Sequence, residues 1–302
     1  MENKETTTVY HKSVLIKEVL EYLSPKPGKI YIDATFGGGG HTRAILDAEP
    51  TCKVIALDWD LHAIEKNAPM FEERYGNRFK ILWGNFAHMY KLFKKEGLTH
   101  IDGILADFGT SQFQIHERAG FSFQKDTPLD MRMSPAHQHT TAALIVNEAA
   151  IHELIKIFSE YGEEPMTKKI AYAIVEERKK HPFKTTGDLV DLIESLIPVR
   201  TFKAQRGIHP ATRVFQALRI AVNNELDNIH SLLISSLRYL NHGGRLVCIS
   251  FHSLEDRIVK NFFKEHQGEL TILTPKPIIA GPEEIGSNPS ARSAKLRAAE
   301  KI

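Results

Sequence analysis

The sequence predicts an α/β fold built on a mostly parallel sheet, and three observations support this prediction. Short apolar runs of strand length alternate with segments of helical periodicity as far as Asp107. A glycine-rich turn at residues 37–40 joins the first apolar run to a helical segment. A carboxylate, Asp58, ends the second run about twenty residues further along the chain. This alternation is typical of a parallel sheet that helices cover on both faces.

The apolar runs place five strands in the chain, at residues 29–35, 53–58, 79–83, 103–107 and 243–251. After the fourth strand, a polar loop punctuated by glycine and proline runs to about residue 135. Helices without clear strands follow at residues 140–147, 151–161, 167–180, around 189–196 and 214–238, with Thr140 and Thr186 as expected caps. We therefore predict a discontinuous α/β domain of residues 1–113 and 212–302, with a helical domain of residues 114–211 inserted into it.

The composition is that of a globular protein in a reducing compartment. The 302 residues are 42% hydrophobic, which is enough for a large core and one or two domains. Lys and Arg (39) nearly balance Asp and Glu (37), so the net charge of +2 selects no class of partner. Cys52 and Cys248 lie beside or within apolar runs and are expected to be buried. Because no apolar signal segment or membrane span is visible, we expect a soluble, cytoplasmic protein.

The turn after the first strand is predicted to bind a cofactor that contains a nucleoside. It has the sequence DATFGGGGH at residues 33–41. Its glycines allow backbone N–H groups and the N-terminus of the next helix to approach a ligand. Asp58, at the end of the second strand, is placed to accept both hydroxyls of a ribose. A plain tight turn is the alternative, but the carboxylates on both sides of the glycines favour cofactor binding.

S-adenosylmethionine is favoured over a dinucleotide as that cofactor. The dinucleotide pattern G-x-G-x-x-G requires a third glycine, and Thr42 stands at that position. Asp33 precedes the glycines, where its negative charge would repel a pyrophosphate. The same charge would attract the sulfonium and ammonium groups of S-adenosylmethionine.

Ligands of open α/β sheets bind outside the carboxyl ends of the strands. Asp33, Asp58 and Asp107 end the first, second and fourth predicted strands, so we expect them around one crevice. Phe86 follows the third strand and could cover an adenine ring, while Asn85 could hydrogen-bond the edge of the base. A plain core position is the alternative for Phe86.

The segment ADFGT at residues 106–110 lies where amine-directed methyltransferases carry a D-P-P-Y-like motif. The exocyclic amine of a base is a poor nucleophile because its lone pair is delocalised into the ring. Asp107 is placed to accept the N–H bonds of such an amine and later its proton. An Asp107 that only hydrogen-bonds the cofactor or a loop amide is the alternative. Methylation at carbon 5 of cytosine is disfavoured, because it needs a cysteine nucleophile and neither Cys52 nor Cys248 has a suitable setting.

Several segments outside this crevice are suited to RNA. Phe121 and Phe123, two residues apart in a glycine loop, offer stacking faces to an unstacked base. We include Asp130, Arg132 and His252 among the expected substrate contacts, with His252 near a helix N-terminus that an adjacent residue would cap.

Phosphate contacts are expected from basic residues of the helical domain, although a solvated charged face is the alternative for each. These residues are Lys168, Lys169, Arg178, Lys179, Lys180, Lys203 and Arg206. The C-terminal segment 292–297 is the alternative RNA surface. No metal is expected, because His137 and His139 have no carboxylate or cysteine at ligand spacing.

These motifs resemble those of the MraW family, the ribosomal RNA small subunit methyltransferases H. The resemblance runs from about His11 to the C-terminus and includes ISFHSLEDRIVK at residues 249–260 and ARSAKLR at residues 291–297. It implies methylation, dependent on S-adenosylmethionine, of the N4 amine of a cytidine in the decoding region of bacterial 16S ribosomal RNA. It also implies a class I methyltransferase fold with an inserted helical domain, and the small ribosomal subunit as partner.

The resemblance also implies cofactor contacts at the positions that match the family motifs. These are Gly39, Gly40, His41, Asp58, Phe86, Asp107 and Gln114. The chain departs from the family pattern in the expected substrate loop. The departures are Gln112, Phe113 and His116 after strand four, Ala119 in place of an arginine, and Ser134 at the end of PLDMRMS.

Two other functions stay open at this stage. The cofactor site alone would also suit an enzyme that methylates a protein or a small molecule. A non-catalytic module that binds S-adenosylmethionine and associates with ribosomes is the second alternative. Asp107 and the phenylalanine loop argue against the module, and the two family strings argue against another substrate.

Overall fold

The computed structural model describes residues 13–110, 114–115, 118–196 and 209–302. The chain divides into two compact units. The first unit is formed by the described residues of Met1–Ser111 and Leu226–Ile302, and the second by those of Gln112–Glu225. The second unit is therefore inserted into the first along the chain.

The first unit contains one eight-stranded sheet. Its strands are β1 (Ile30–Asp33), β2 (Lys53–Asp58), β3 (Phe79–Trp83), β4 (Ile101–Asp107), β5 (Leu240–Ser250), β6 (Leu270–Ile272), β7 (Ile278–Ile279) and β8 (Lys295–Lys301). All neighbours are parallel in the order β3-β2-β1-β4-β5. Strand β8 is antiparallel to β5, and β6 and β7 pair antiparallel with β8. The predicted α/β fold with a mostly parallel sheet is confirmed, in the strand order of the class I methyltransferase fold that the resemblance implies.

Strands β2 and β3 have the predicted bounds, whereas β4 and β5 each begin earlier than predicted. The pairing of β4 with β5 shifts between Ile101 and Gly103. This irregularity allows Ile101 to pair with Leu240, which extends both strands toward their N-terminal ends.

Helices flank the sheet on both faces. Those of the first unit are α1 (Ile16–Leu23), α2 (Gly40–Ala48), α3 (Leu61–Tyr75), α4 (Met89–Glu96), α10 (Glu225–Tyr239), α11 (Ser253–Glu265) and α12 (Pro282–Ser287). Adjacent residues of a strand face opposite sides: Tyr31 packs with Ile45 and Phe71 in one apolar core, and Ile32 packs with Phe93 in the other. Among the described residues, no helix is long and apolar enough to cross a bilayer.

The second unit is helical and has an apolar core of its own. Its helices are α5 (Ala142–Glu148), α6 (Ile151–Glu160), α7 (Thr167–Glu177), α8 (Thr186–Leu196) and α9 (Ala211–Asn223). The predicted C-terminal boundary at residue 211 is too early, because Val214 and Leu218 of α9 pack in this core. The long helices predicted around 214–238 are α9 and α10, which are separated where Asn224 adopts a left-handed conformation. The cap of α5 is Thr141, one residue after the predicted Thr140.

Both cysteines are buried, as the sequence predicts. Cys52 and Cys248 have no exposed surface. Burial raises the pKa of the Cys52 thiol to about 11, and it raises the pKa of Cys248 further. Neither thiol is therefore available as a thiolate nucleophile near neutral pH.

Candidate active site

The glycine turn between β1 and α2 is held by the neighbouring strand and helix. The backbone N–H of Gly37 donates to Asp58 Oδ2 at 2.8 Å. The carbonyl oxygen of Gly37 accepts from Asn67 Nδ2 of α3 at 2.9 Å. Glycine is favoured at position 37, because the backbone there has a left-handed φ of +50°. The turn is thus fixed at the carboxyl ends of β1 and β2, as expected for a ligand-binding edge of the sheet.

The glycines of this turn have different surroundings. A Cβ atom on Gly39 would lie 2.3 Å from the ring of Phe71, and one on Gly40 would lie 2.2 Å from Ser13 Oγ. Nothing stands within 4 Å of a Cβ built on Gly38. Close packing against aromatic rings therefore accounts for glycine at position 39, whereas the contact at position 40 is with a serine hydroxyl that can rotate away. The open side of the turn is at Gly38, which the sequence analysis did not single out.

Asp33 is fully buried and organises the turn. Its Oδ1 accepts from the backbone N–H of Thr35 at 3.1 Å, and its Oδ2 accepts from the hydroxyl of Thr42 at 2.7 Å. Burial raises the pKa of Asp33, while the nearby His41 and the two hydrogen bonds act in the opposite direction. Both oxygens are engaged inside the protein, so any attraction for a cationic ligand would act through the electric field of Asp33.

Asp58 ends β2 and lies half-buried. Its Oδ1 accepts from the N–H of Asp60 at 2.9 Å, in addition to the bond between Oδ2 and Gly37. Burial raises the pKa of Asp58 to about 6, although these two N–H groups lower it. Each carboxylate oxygen has a second lone pair, so the side chain keeps the capacity to accept ribose hydroxyls.

His41 and Asp107 meet in the crevice. His41 Nε2 lies 3.4 Å from Asp107 Oδ2, and the Asp107 backbone N–H donates to Thr35 Oγ1 at 2.8 Å. Burial alone would lower the pKa of His41, but Asp107, Asp33 and Glu284 raise it above its ordinary value. Among the described residues, both ring nitrogens of His41 and Oδ1 of Asp107 are buried without a hydrogen-bond partner. Unsatisfied buried polar atoms of this kind are uncommon unless a ligand or water completes them.

These features fit a cationic cofactor that carries a ribose. Glu284 Oε1 accepts from the backbone N–H of Leu15 at 2.7 Å, and the charge of Glu284 contributes to the raised pKa of His41. Asp33, Asp107 and Glu284 therefore surround His41 with negative charge. The crevice has an open glycine at Gly38, a half-buried carboxylate at the end of β2, and polar atoms without partners.

Phe86 lies beside this edge of the sheet, after β3. It is half-buried, packs against the second apolar core and has its ring 6.1 Å from that of Phe108. Asn85 Oδ1 caps the short turn that Phe86 begins, by accepting from Ala87 N–H at 2.8 Å. The side-chain oxygen of Asn85 thus has a structural bond, and contact of this residue with a base edge stays a prediction. The contact between Phe86 and an adenine stays a prediction.

The predicted substrate loop belongs to the second unit, as does the buried Gln114. Phe121 is half-buried. Phe123 does not offer the free stacking face that was predicted: its ring centroid lies 4.7 Å from that of His209 and 5.0 Å from that of Phe215. The sequence separation hides this packing, because Phe215 comes from α9. A substrate role for Phe121 stays a prediction.

Asp130 and Arg132 bind each other. Arg132 Nε and Nη2 donate to the two carboxylate oxygens of Asp130, both at 2.8 Å. Met131 between them has a left-handed φ of +66°. The buried Asn223 holds this conformation, because its Nδ2 donates to Met131 O and its Oδ1 accepts from Met133 N–H, both at 2.8 Å. The pair shapes the loop, and contact of either side chain with a substrate stays a prediction.

His252 is itself the cap of α11, not a residue capped by a neighbour. Its side chain accepts from the N–H of Glu255, and Glu255 Oε2 accepts from the N–H groups of Phe251 and His252 at 2.7 and 3.2 Å. This reciprocal arrangement is a capping box with histidine in place of serine or threonine. The signal in the sequence was the glutamate three residues after His252.

The basic residues of the second unit have structural partners in several cases. Arg178 donates to the carbonyl oxygens of Val146 and Ala149, both at 2.9 Å, and so stabilises the C-terminus of α5. Lys179 and Lys180 each pair with a glutamate three residues earlier. Other predicted contacts and departures lie outside the described residues; these are Lys203, Arg206, Gln112, Phe113 and His116.

Comparison with known proteins gives one consistent result. The model of the MraW methylase family matches residues 8–302. A relative from Geobacter sulfurreducens, named "Ribosomal RNA small subunit methyltransferase H", is 46% identical over 317 residues, covering 98% of this chain and all of its own. A relative of the same name from a Cyanothece species is 47% identical over 293 residues, covering 97% and 95%.

Solved structures resemble the chain more distantly. An rRNA methylase from Streptococcus thermophilus aligns over 95% of this chain and 93% of its own, with 12% identity and a TM-score of 0.42. The family match over nearly the whole sequence and the relatives at 46–47% identity are the decisive findings. The chain belongs to the MraW methylase family.

Proposed function

We propose that this protein transfers a methyl group from S-adenosylmethionine to the N4 amine of a cytidine in 16S ribosomal RNA, in the bacterial cytoplasm. The names of its relatives support a ribosomal RNA of the small subunit as the substrate. The observation that carries the chemistry is Asp107 at the end of β4. One of its oxygens lies 3.4 Å from His41, and the other is buried without a hydrogen-bond partner among the described residues.

The cofactor would lie across the carboxyl ends of β1, β2 and β4. Asp58 would accept its ribose hydroxyls, and Phe86 would cover its adenine. The backbone at Gly38 has open space for a ligand, and the N–H groups at the start of α2 suit a carboxylate. Bound S-adenosylmethionine supplies a methyl group on a positively charged sulfur. The negative charges of Asp33, Asp107 and Glu284 would favour that cation.

Asp107 has the position and the free acceptor that a cytidine amine requires. The unpartnered Oδ1 would accept an N–H bond of the amine and so localise the nitrogen lone pair for attack on the methyl carbon. When the N–C bond has formed, the surplus proton on nitrogen would pass to Asp107. Thr35 fixes the backbone of Asp107, which favours a defined attack geometry.

A base can reach this partly buried carboxylate only after leaving its stack, which costs a few kcal/mol. Phe121 of the second unit stays a candidate for stacking on an RNA base, which is worth about 1–3 kcal/mol. We assign no stacking role to Phe123, because its ring packs against His209 and Phe215.

The test is methyl transfer to 16S RNA and to small subunits from a strain that lacks this protein, followed by mapping of the methylated nucleotide. We expect Asp107→Asn to lower turnover at least about a hundredfold at saturating S-adenosylmethionine, the low end for a positioned proton acceptor. Asp47→Asn is the matched control, because Asp47 is exposed and pairs with Arg74.

Three outcomes would contradict the proposal in different ways. Methyl transfer to a protein or a small molecule instead of RNA would contradict the substrate. Cofactor binding without any transfer would indicate the non-catalytic module. Recovery of Asp107→Asn at saturating cofactor would limit Asp107 to a binding role.

A further inference from the structure

A cavity of about 530 Å³ lies in the first unit, away from the glycine turn. It is bordered by the C-terminal half of α11, by β6 with the residues that follow it, and by β8. Its floor is apolar and includes Phe263 and Leu270, which are almost fully buried. Its polar lining includes Lys260, Lys264 and Arg297. A volume of this size accommodates a ligand as large as one nucleotide.

The two sequence strings that carry the family resemblance meet at this cavity. Arg297, from ARSAKLR, donates through Nε and Nη2 to both carboxylate oxygens of Asp256, from ISFHSLEDRIVK, at 2.6 and 3.1 Å. The Arg297 side chain is only 7% exposed, so this ion pair fixes one wall of the cavity. Lys260, the last residue of the first string, stands one turn after Asp256 on α11. The proposed methyl transfer uses none of these three residues.

The charges around the cavity are unbalanced. Lys260 and Lys264 are four residues apart on α11, so their ammonium groups lie on one face of the helix and repel each other. No aspartate or glutamate lines the cavity, and within the part of the chain that the structure describes neither lysine has an ion-pair partner. Asp256 offsets the charge of Arg297 but not that of either lysine. The cavity therefore presents two uncompensated cations above an apolar floor.

We propose that this cavity binds one nucleotide unit of the RNA substrate, outside the site of methyl transfer. The phosphate would lie between Lys260 and Lys264, and the sugar and base would lie against Ile272 and Pro275, the apolar lining residues that keep accessible surface. Phosphates attract lysine side chains as point charges, and apolar surface beside them suits the face of a base. The proposal rests on the proposed function in one respect, that the substrate is RNA.

The experiment compares RNA binding by the full-length wild type, K260Q/K264Q and the control K94Q/K95Q across salt concentrations. Lys94 and Lys95 are exposed on α4 of the same unit, so K94Q/K95Q removes the same charge as K260Q/K264Q. We expect K260Q/K264Q to bind RNA roughly tenfold more weakly at low salt, with a salt slope shallower by about 1.4–1.8 for two lost phosphate contacts. Its affinity for S-adenosylmethionine should be unchanged, and its melting temperature should be equal or slightly higher because like charges are removed.

An unchanged slope in K260Q/K264Q, or an equal change in K94Q/K95Q, would overturn the proposal. If the wild type neither binds nor methylates RNA, the proposed function fails and this inference fails with it. If the wild type methylates RNA normally while K260Q/K264Q retains its slope, only this inference fails. Inorganic phosphate, titrated alone, identifies the other source of the same chemistry: loss of phosphate binding in K260Q/K264Q without a change in RNA slope would assign the cavity to a free anion.

Discussion

Two glycine loops, one in each unit, differ in how completely their polar atoms are satisfied. The turn of the first unit bends at Gly39, with φ of +75°, and the loop of the second unit bends at Gly120, with φ of +88°. At both positions a Cβ would clash, with Phe71 in the first loop and with the backbone N atoms of Asp130 and Met131 in the second. Steric constraint on the backbone is therefore common to both loops.

The side chains beside the two loops are in opposite states. In the first unit, His41 and Asp107 keep buried polar atoms without hydrogen-bond partners among the described residues. In the second unit, Arg132 donates hydrogen bonds to both carboxylate oxygens of Asp130, and the side chain of Asn223 hydrogen-bonds to the loop backbone. Because a buried polar atom without a partner costs free energy, the first arrangement indicates a place where a ligand completes the bonding. The second arrangement indicates a loop whose shape is fixed before any ligand binds.

The largest expected effect separates packing from ligand space within the first loop. Gly39→Ala should lower the free energy of unfolding by about 2–5 kcal/mol, from left-handed strain and from overpacking against Phe71. Phe71 cannot move aside readily, because the rings of Phe36 and Phe79 lie 5.2 Å from it. Chemical denaturation measures this loss.

Gly38→Ala is the matched control, since a Cβ there meets nothing within 4 Å. Its free energy of unfolding should change by less than about 0.5 kcal/mol. Its affinity for S-adenosylmethionine should fall, because the methyl group would enter the proposed ligand space. A Gly38→Ala protein that binds the cofactor normally would place the ligand elsewhere.

The second prediction compares the carboxylates of the two loops. Asp58→Ala should weaken S-adenosylmethionine binding by about 2–4 kcal/mol, through the loss of two charge-assisted hydrogen bonds to the ribose. Asp130→Ala also removes a carboxylate with several internal hydrogen bonds, yet cofactor affinity should stay within about twofold of the wild type. Calorimetric titration of both folded variants checks the contrast, and equal losses would remove Asp58 from the cofactor site.

The third prediction concerns the glycine loop of the second unit, in which Arg132 and Asp130 are paired. Arg132→Met should lower the free energy of unfolding by only about 0.5–1.5 kcal/mol, because the Arg132–Asp130 pair is partly exposed and screened by solvent. If the loop is shaped in advance for RNA, KM for RNA should rise while the cofactor affinity stays constant. A variant with wild-type KM would reduce the pair to a purely structural contact.

Local patterns predicted the parallel strands of the first unit and the helices of the second, and they missed the antiparallel strands β6, β7 and β8. Strands β2 and β3, the glycine turn and the acidic strand ends follow from residues that are close in sequence. Decisive contacts of the first unit connect distant residues: the Asp107 N–H bond to Thr35 in the candidate site spans 72 positions, and the Arg297–Asp256 pair at the separate cavity spans 41. Hydrophobic periodicity carries no information about such pairs.

The errors have the same origin. Phe123 resembles a stacking platform in the sequence, because its partner Phe215 lies in a helix from the far end of the insertion. The boundary predicted at residue 211 lies at the start of α9, and only the packing of α9 in the core of the second unit assigns this helix to the insertion. Asn224, whose left-handed backbone separates the two helices, was the one local signal available.

The smallest expected effect is a pH dependence that belongs to the first loop alone. Burial, with the neighbouring charges of Asp60 and Asp33, raises the pKa of Asp58 to about 6, against the effect of the two N–H donors. An acid with a raised pKa gains its proton as pH falls through that value, and the neutral form accepts hydroxyls more weakly. Cofactor affinity should therefore be full above pH 7 and fall about fourfold between pH 7 and pH 5.5. Asp58→Asn should bind weakly with no such fall, and His41→Gln should retain it, because the fall is assigned to the Asp58 carboxyl. If the cofactor affinity of Asp58→Asn still falls as pH is lowered, the titrating group would be His41, whose pKa is raised by Asp107.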